Sequence, residues 1–288
     1  MTALVLSGGG LSAITAIGVL EALTELNISV DLVVGSSAGA LVGALYASGL
    51  SPERLGYLAK SVSKRYFRVS WSRLAWQLLG HRKLPVSLTR IDPLFSLTDH
   101  WLRERSFVTT VVPLWVTATD LVERQTVVFG PSGAPFDGHL AELLAIARIP
   151  RTVDLATAVR ASTAVPGLFF PVLMDGRVLV DGGIGDDFPV DVAVLAGADR
   201  VIGVWIDEPT PWLDPKISAP NLLYQSLATM IRQMSMVRAA VVAGQVAQVV
   251  LRIPMEVGMT GFGRIPHLIR LGYARAMAER EALSVLVA

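Results

Sequence analysis

Short uninterrupted apolar runs alternate along the chain with longer segments in which apolar residues recur every three or four positions. The runs read as strands buried on both faces and the longer segments as helices with one apolar side, so the alternation predicts a layered α/β fold. Leu4-Val5-Leu6-Ser7 is the first predicted strand. After a glycine turn, Ile14, Ile17, Leu20, Leu23 and Leu26 mark a helix. Leu32-Val33-Val34-Gly35 is a second buried strand, and 38–48 is an apolar helix with Gly49 as its C-terminal cap and Pro52 just beyond. Further strands are predicted at 111–118, 126–129, 178–181 and 200–206, and further helices at 139–147, 154–164, 187–195, 222–249 and 265–286. Pro209, Pro211, Pro215 and Pro220 predict a loop. Beyond that loop the pattern is helical only. The expectation is therefore one domain over 1–288, closed by a C-terminal helical cover at 221–288.

Composition narrows the function. Lys and Arg number 25 against 24 Asp and Glu, a net charge of +1. This excludes a strongly basic nucleic-acid binder. Apolar residues make up 52% of the 288 residues and charged ones 17%, below the roughly 25% usual in soluble domains, which excludes disorder. Cysteine is absent, so there is no disulfide frame, no thiolate nucleophile and no Cys-based metal site. The start lacks the basic region of a signal peptide. The uncharged stretch 32–52 is interrupted by Gly35, Gly39, Gly43 and Gly49 and reads as strand, turn and helix rather than a membrane span. The expected location is cytoplasmic, with or without peripheral membrane contact.

The sharpest local feature is Gly35-Ser36-Ser37-Ala38-Gly39, which fits G-x-S-x-G between a buried strand and a helix. On such an elbow the middle serine is held on a strained turn with its hydroxyl exposed, and the helix N-terminus favours developing negative charge. The plain alternative is a tight turn in a Gly- and Ala-rich chain. A serine nucleophile needs a base, but His81, His100, His139 and His267 all lie in helical, basic or proline-flanked contexts that do not suggest one. Asp181, ending a predicted strand before Gly182 and Gly183, is the other candidate, since ligands of open parallel sheets gather at the carboxyl ends of strands. Burial would raise its pKa toward the working range, and Asp186 and Asp187 nearby would add to this by repulsion. Alone, Asp181 also reads as the cap of a Gly-Gly turn.

The third element, Ser7-Gly8-Gly9-Gly10-Leu11-Ser12-Ala13, can turn backbone N–H groups into a site. It also matches a loose dinucleotide fingerprint, but Asp31 precedes the second strand where that motif needs an acid at its end.

Taken in order, these elements resemble the patatin-like phospholipase family. Ile17-Gly18-Val19-Leu20, Thr117-Ala118-Thr119-Asp120-Leu121, the block Arg160 to Pro171, Asp181-Gly182-Gly183 and Leu271-Gly272-Tyr273-Ala274 add to the likeness, which runs from about residue 3 to 280. The resemblance implies a three-layer α/β/α sandwich with a mainly parallel sheet, and hydrolysis of phospholipid or neutral-lipid esters without metal or cofactor. It implies Ser37 as nucleophile, Asp181 as base, and the Gly9, Gly10 and Ala38 amides as oxyanion hole, with Gly8, Gly35, Gly39, Gly182 and Gly183 supporting the turns. Two departures stand out: Ser12 and Ala13 replace a basic residue and Gly, and Asp187 replaces an Asn. An acyltransferase, or a lipid- or partner-binding protein with little catalysis, would share the same motifs.

Between Arg54 and Arg90 there is no acidic residue, while cations (Arg65, Arg68 and Arg73 among them) interleave with Trp71, Trp76 and other aromatics. That mixture suits contact with an anionic membrane surface, as a lid over the site. The plain alternative is a solvated helix whose aromatics pack on the sheet.

Overall fold

The computed structural model describes residues 1–62, 68–69, 89–90, 98–103, 105–131, 136, 138–149, 153–207, 219–256 and 261–288. Five strands run parallel side by side: β11 (Ala247–Pro254), β10 (Arg200–Asp207), β1 (Thr2–Leu6), β2 (Leu32–Gly35) and β5 (Leu114–Asp120). Beyond β5 lie the antiparallel β6 (Gln125–Phe129) and then β7 (Ile146–Arg148), parallel to β6. The hairpin β8 (Val172–Met174) and β9 (Arg177–Val180) joins through β9, which pairs antiparallel with Thr119 and Asp120 of β5. A separate two-stranded piece pairs β3 (Arg68–Val69) with β4 (Thr89–Arg90). The sheet is thus mostly parallel, with helices on both sides.

Alternate residues of the central strands feed two cores, which explains why the strands read as unbroken apolar runs. Leu4, Leu6, Val33, Val116 and Val204 face one layer, with α1 (Thr15–Glu25), α2 (Ser37–Ala47), α3 (Pro52–Ser61), α5 (Leu155–Ser162) and α9 (Ile265–Ala278). Ala3, Val5, Val34, Trp115 and Trp205 face the other, with α4 (His139–Leu143), α7 (Val190–Leu195) and the last turn of α8 (Ala219–Val242), and the short α6 (Gly183–Asp186) lies against α8. A final helix, α10 (Arg280–Val287), packs near β10 and β11.

Several expected boundaries shift. The helix expected at 222–249 ends at Val242, and 247–254 is the edge strand β11, so 221–288 is not a purely helical cover. Gly244 lies in the turn between them, and the run Val246 to Ile253 is rich in β-branched residues, which are stiff and favour strands. The helix expected at 139–147 stops at Leu143. Ala145 takes a left-handed conformation (φ 49°), and 146–148 joins the sheet as β7. Pro220 belongs to the first turn of α8, where a missing N–H costs nothing. Residues 208–218 lie outside the described residues, as does most of the 54–90 segment, including Arg65, Trp71, Arg73 and Trp76 and the side chain of Arg68.

Helices α1 and α9 cross with their backbones in close contact. A Cβ on Gly272 would sit 1.9 Å from the carbonyl oxygen of Thr15, and one on Gly18 only 1.8 Å from that of Ile269. Neither neighbour is a side chain that can swing away, so the two glycines set the spacing of this layer. Gly272→Ala is expected to cost about 2 kcal/mol or more in chemical denaturation, through overpacking against backbone. Gly263→Ala, with open space at its Cβ, should stay within about 0.5 kcal/mol of the parent. Equal stability of the two variants would contradict this packing.

Candidate active site

The site is built where two strands end against each other. On one edge of β5, β2 pairs with residues 114–116 and β9 with 119–120, while β6 takes the opposite edge. Because β2 runs parallel and β9 antiparallel to β5, the carboxyl ends of β2 and β9 point toward each other. Ser37 follows one end and Asp181 the other. The sequence pattern predicts both at the carboxyl edge of parallel strands; the juxtaposition holds, but β9 arrives from the opposite direction.

Ser36 is extended and Ser37 is left-handed, with φ 51°. For a residue other than glycine this conformation costs on the order of 1–3 kcal/mol and persists only where the surroundings enforce it. Enforcement comes from three sides. The Ser37 N–H donates to Ser162 Oγ (2.8 Å), and the Ser36 hydroxyl donates to the Asp186 carbonyl (2.8 Å). The third constraint is the seating of α2 against β1, where a Cβ on Gly39 would lie 2.4 Å from the Ser7 carbonyl oxygen. The Ser37 hydroxyl donates to Asp181 Oδ2 at 2.6 Å.

Asp181 is fixed as tightly. Its Oδ1 accepts from the Gly183 N–H (2.9 Å), its N–H donates to the Ala164 carbonyl (3.0 Å) and its carbonyl accepts from the Thr119 hydroxyl (2.8 Å). The carboxyl is buried, and burial raises its pKa to about 6 against the lowering effect of the hydrogen bonds from Ser37 and Gly183. Repulsion from Asp186 and Asp187 is not the cause. Asp186 points away into a buried cluster with Asp191 and Arg238, whose guanidinium donates to Asp191 Oδ2 (2.9 Å) and the Leu144 carbonyl (2.9 Å). Burial first and the Asp191 charge second push Asp186 well above the usual carboxylate range.

The glycine loop closes the third side. Gly9 and Gly10 both have positive φ (122° and 57°), and a Cβ on Gly9 would lie 2.7 Å from the Ile206 side chain. The loop is tied down by Gly8 N–H to the Asp187 carbonyl (3.2 Å) and by the Ser7 hydroxyl, which accepts from the Ile206 N–H (2.8 Å). The N–H groups of Gly9, Gly10 and Ala38 donate to no described residue.

Of the described histidines, His267 bonds to Glu256 (2.8 Å), His100 packs edge-on to Trp101 and His139 opens α4. None of them bonds to Ser37 or Asp181; His81 lies outside the described residues. Among the described residues, no cluster of three or more His, Cys, Asp or Glu is placed to hold a metal ion.

Two positioning residues, Ser162 and Thr119, are not singled out by the sequence pattern. Ser162 binds the Ser37 N–H through its hydroxyl and the Gly182 N–H through its carbonyl (2.9 Å), so one residue ties the serine turn to the aspartate turn. Its only signal is its place in the Ala161-Ser162 pair of the block that resembles the family.

A serine hydroxyl hydrogen-bonded to a buried carboxyl, on a strand–turn–helix elbow of an α/β/α sandwich and with no histidine partner among the described residues, is the arrangement the fold presents. The family model for patatin-like phospholipase matches residues 4–194, and the chain belongs to that family. An uncharacterised NTE family protein of Mycobacterium tuberculosis is 29% identical over 235 residues, covering 81% of this chain and 56% of that protein. Human patatin-like phospholipase domain-containing protein 6 is 27% identical over 301 residues, covering 94% of this chain and 20% of the human protein. The chain therefore spans about half the length of the mycobacterial relative and a fifth of the human one. The crystal structure of VipD from Legionella pneumophila shares the fold, with a TM-score of 0.52 at 16% identity over 98% of this chain and 67% of that one.

The raised pKa of Asp181 carries a stability consequence. A carboxyl lifted from 3.8 to about 6 on folding stays protonated in the native state over a range where the unfolded chain has released its proton. Stability therefore falls as pH rises through that window, and the loss, on the order of 3 kcal/mol, is complete above pH about 6. Asp181→Asn, which mimics the protonated form, is expected to melt at higher temperature than the parent at pH 8 and level with it below pH about 4. A difference that does not change with pH would contradict the burial assigned to this carboxyl.

Proposed function

We propose that the protein hydrolyses carboxylic esters of phospholipids or neutral lipids, with Ser37 as nucleophile and Asp181 as general base. The observation that carries this reading is the 2.6 Å hydrogen bond from a left-handed, nearly buried Ser37 to a carboxyl whose pKa lies near 6. Family membership supports a lipid ester as substrate.

Ser37 Oγ attacks the ester carbonyl carbon while Asp181 Oδ2 takes the hydroxyl proton. The tetrahedral oxyanion is received by the N–H groups of Gly9, Gly10 and Ala38, which donate to nothing else among the described residues. Collapse breaks the bond to the alcohol, which leaves with the proton held by Asp181, and Ser37 carries the acyl group. Water then attacks the acyl carbon as Asp181 takes its proton. The carboxylic acid leaves and the proton returns to Ser37. An unperturbed aspartate would be too weak a base for both steps; burial brings it within reach of neutral pH. The basic and aromatic residues of the 54–90 segment (Arg65, Arg68, Trp71, Arg73 and Trp76) support, by their sequence, a peripheral contact with anionic lipid.

Steady-state turnover of a short p-nitrophenyl ester and of phosphatidylcholine vesicles tests the reading. Asp181 must be ionised to act, so kcat/KM is expected to rise with pH through a midpoint near 6 and level off above it. Asp181→Asn should lose a factor on the order of 10²–10⁴ or more, and Ser37→Ala at least as much. Alanine at His81, His100, His139 or His267 should cost far less. A histidine variant as inactive as Asp181→Asn would replace the dyad with a triad.

A further inference from the structure

Helix α8 is unusual in what it leaves uncovered. Its inward residues Ser235, Arg238 and Val242 are buried, and all three lie in its C-terminal half. Level with the carboxyl edge of the sheet, Arg232 forms a two-pronged ion pair with Asp207, the last residue of β10 (2.7 and 3.1 Å). Residues 219–231 therefore extend past that edge, by up to about 20 Å at 1.5 Å per residue. On this projecting half, Leu222, Leu223, Leu227 and Met230 are between 50% and 66% exposed.

The projection rises beside the candidate active site. Asp207 follows Ile206, whose side chain packs against Gly9 and whose N–H is held by Ser7. Ser37 lies at the same carboxyl edge, one strand beyond β1. The projecting half carries no charge at all, since α8 contains neither Asp nor Glu and its cations are Arg232, paired at the base, and Arg238, buried with Asp191.

We propose that the N-terminal half of α8 is a lipid-docking element that inserts its apolar side chains into the acyl boundary of a membrane or micelle and so brings the mouth of the site to its substrate. The proposal rests on the lipid-ester reading above. Four half-exposed aliphatic side chains on one projecting helix are more than a soluble surface ordinarily leaves open. They sit beyond the same carboxyl edge of the sheet at which Ser37 lies. The lack of charge sets this element apart from an electrostatic anchor: attraction comes from apolar burial, is not screened by salt and does not require anionic headgroups. Insertion is shallow, because no described helix is long and apolar enough to cross a membrane.

The test uses flotation of the full chain with phosphatidylcholine vesicles at low and high salt. Leu223→Gln, Leu227→Gln and Met230→Gln are combined in one variant, since Gln keeps helix propensity and adds no charge. Wild type is expected to float with the vesicles at both salt concentrations. The triple variant should bind about 100-fold more weakly or worse, melt at the same temperature, and hydrolyse a soluble short ester at the parental rate. Ser37→Ala should bind vesicles as wild type does, so that docking is read independently of catalysis. An inactive wild type that still floats would overturn the hydrolase reading and leave docking in place. Equal binding by wild type and triple variant would overturn the proposal, as would binding that salt abolishes. The three- and four-residue spacing of Leu223, Leu227, Met230, Met234 and Val237 also suits pairing with a second copy. A wild type that sediments at twice 30.8 kDa, with the variant a monomer and vesicle binding absent from both, would assign the surface to a dimer instead.

Discussion

The hydrogen bond between Ser37 and Asp181 joins residues 144 positions apart, and the rest of the molecule can be understood as what makes that contact possible. β2 and β9 must end facing each other along one edge of β5, which needs β5 long enough to pair with both and β9 to run backwards. Thr119 of β5 holds the Asp181 carbonyl, while Ser162 of α5 holds the backbone on both sides of the gap. The sheet supplies the register, and three hydroxyl groups (Ser36, Thr119 and Ser162) supply the final positioning.

Two costs are concentrated at this point, a left-handed serine and a buried carboxyl. Both are features that a fold selected for stability alone would avoid, and both are characteristic of sites where function sets the geometry. They are offset by ordinary means. The strands around the site are apolar on both faces and feed two separate cores, and the N–H groups of Ser36 and Ser37 in the elbow and of Asp181, Gly182 and Gly183 in the aspartate turn are paired. The raised pKa of Asp181 and the cost of keeping its carboxyl in the fold follow from the same burial.

Much of this is legible in the sequence, unevenly. The first two strands, the helices after them and the elbow can be read because apolar runs, glycine turns and helical spacing occur together there. Asp181 can be singled out because it ends a run and precedes two glycines. The direction of β9 cannot be read, since a four-residue apolar run looks the same in either orientation and only pairing with β5 decides it. β11 is hidden because the valines from 246 to 250 continue the helical spacing of α8 past its end. Ser162 looks like any small residue near a helix terminus. The exposure of Leu223 and Met230 is invisible for the converse reason: an apolar residue at helical spacing reads as core until the neighbouring elements are in place.

Activation of Ser37 by Asp181, as proposed, is tested most directly by the pH dependence of covalent labelling followed by intact-protein and peptide mass spectrometry. With a fluorophosphonate, a single adduct is expected on the peptide carrying Ser37. Its rate of formation should rise through a midpoint near pH 6 and fall by a factor of about 100 or more in Asp181→Asn. An adduct on another residue, or a labelling rate at Ser37 unchanged by Asp181→Asn, would contradict a Ser37–Asp181 pair.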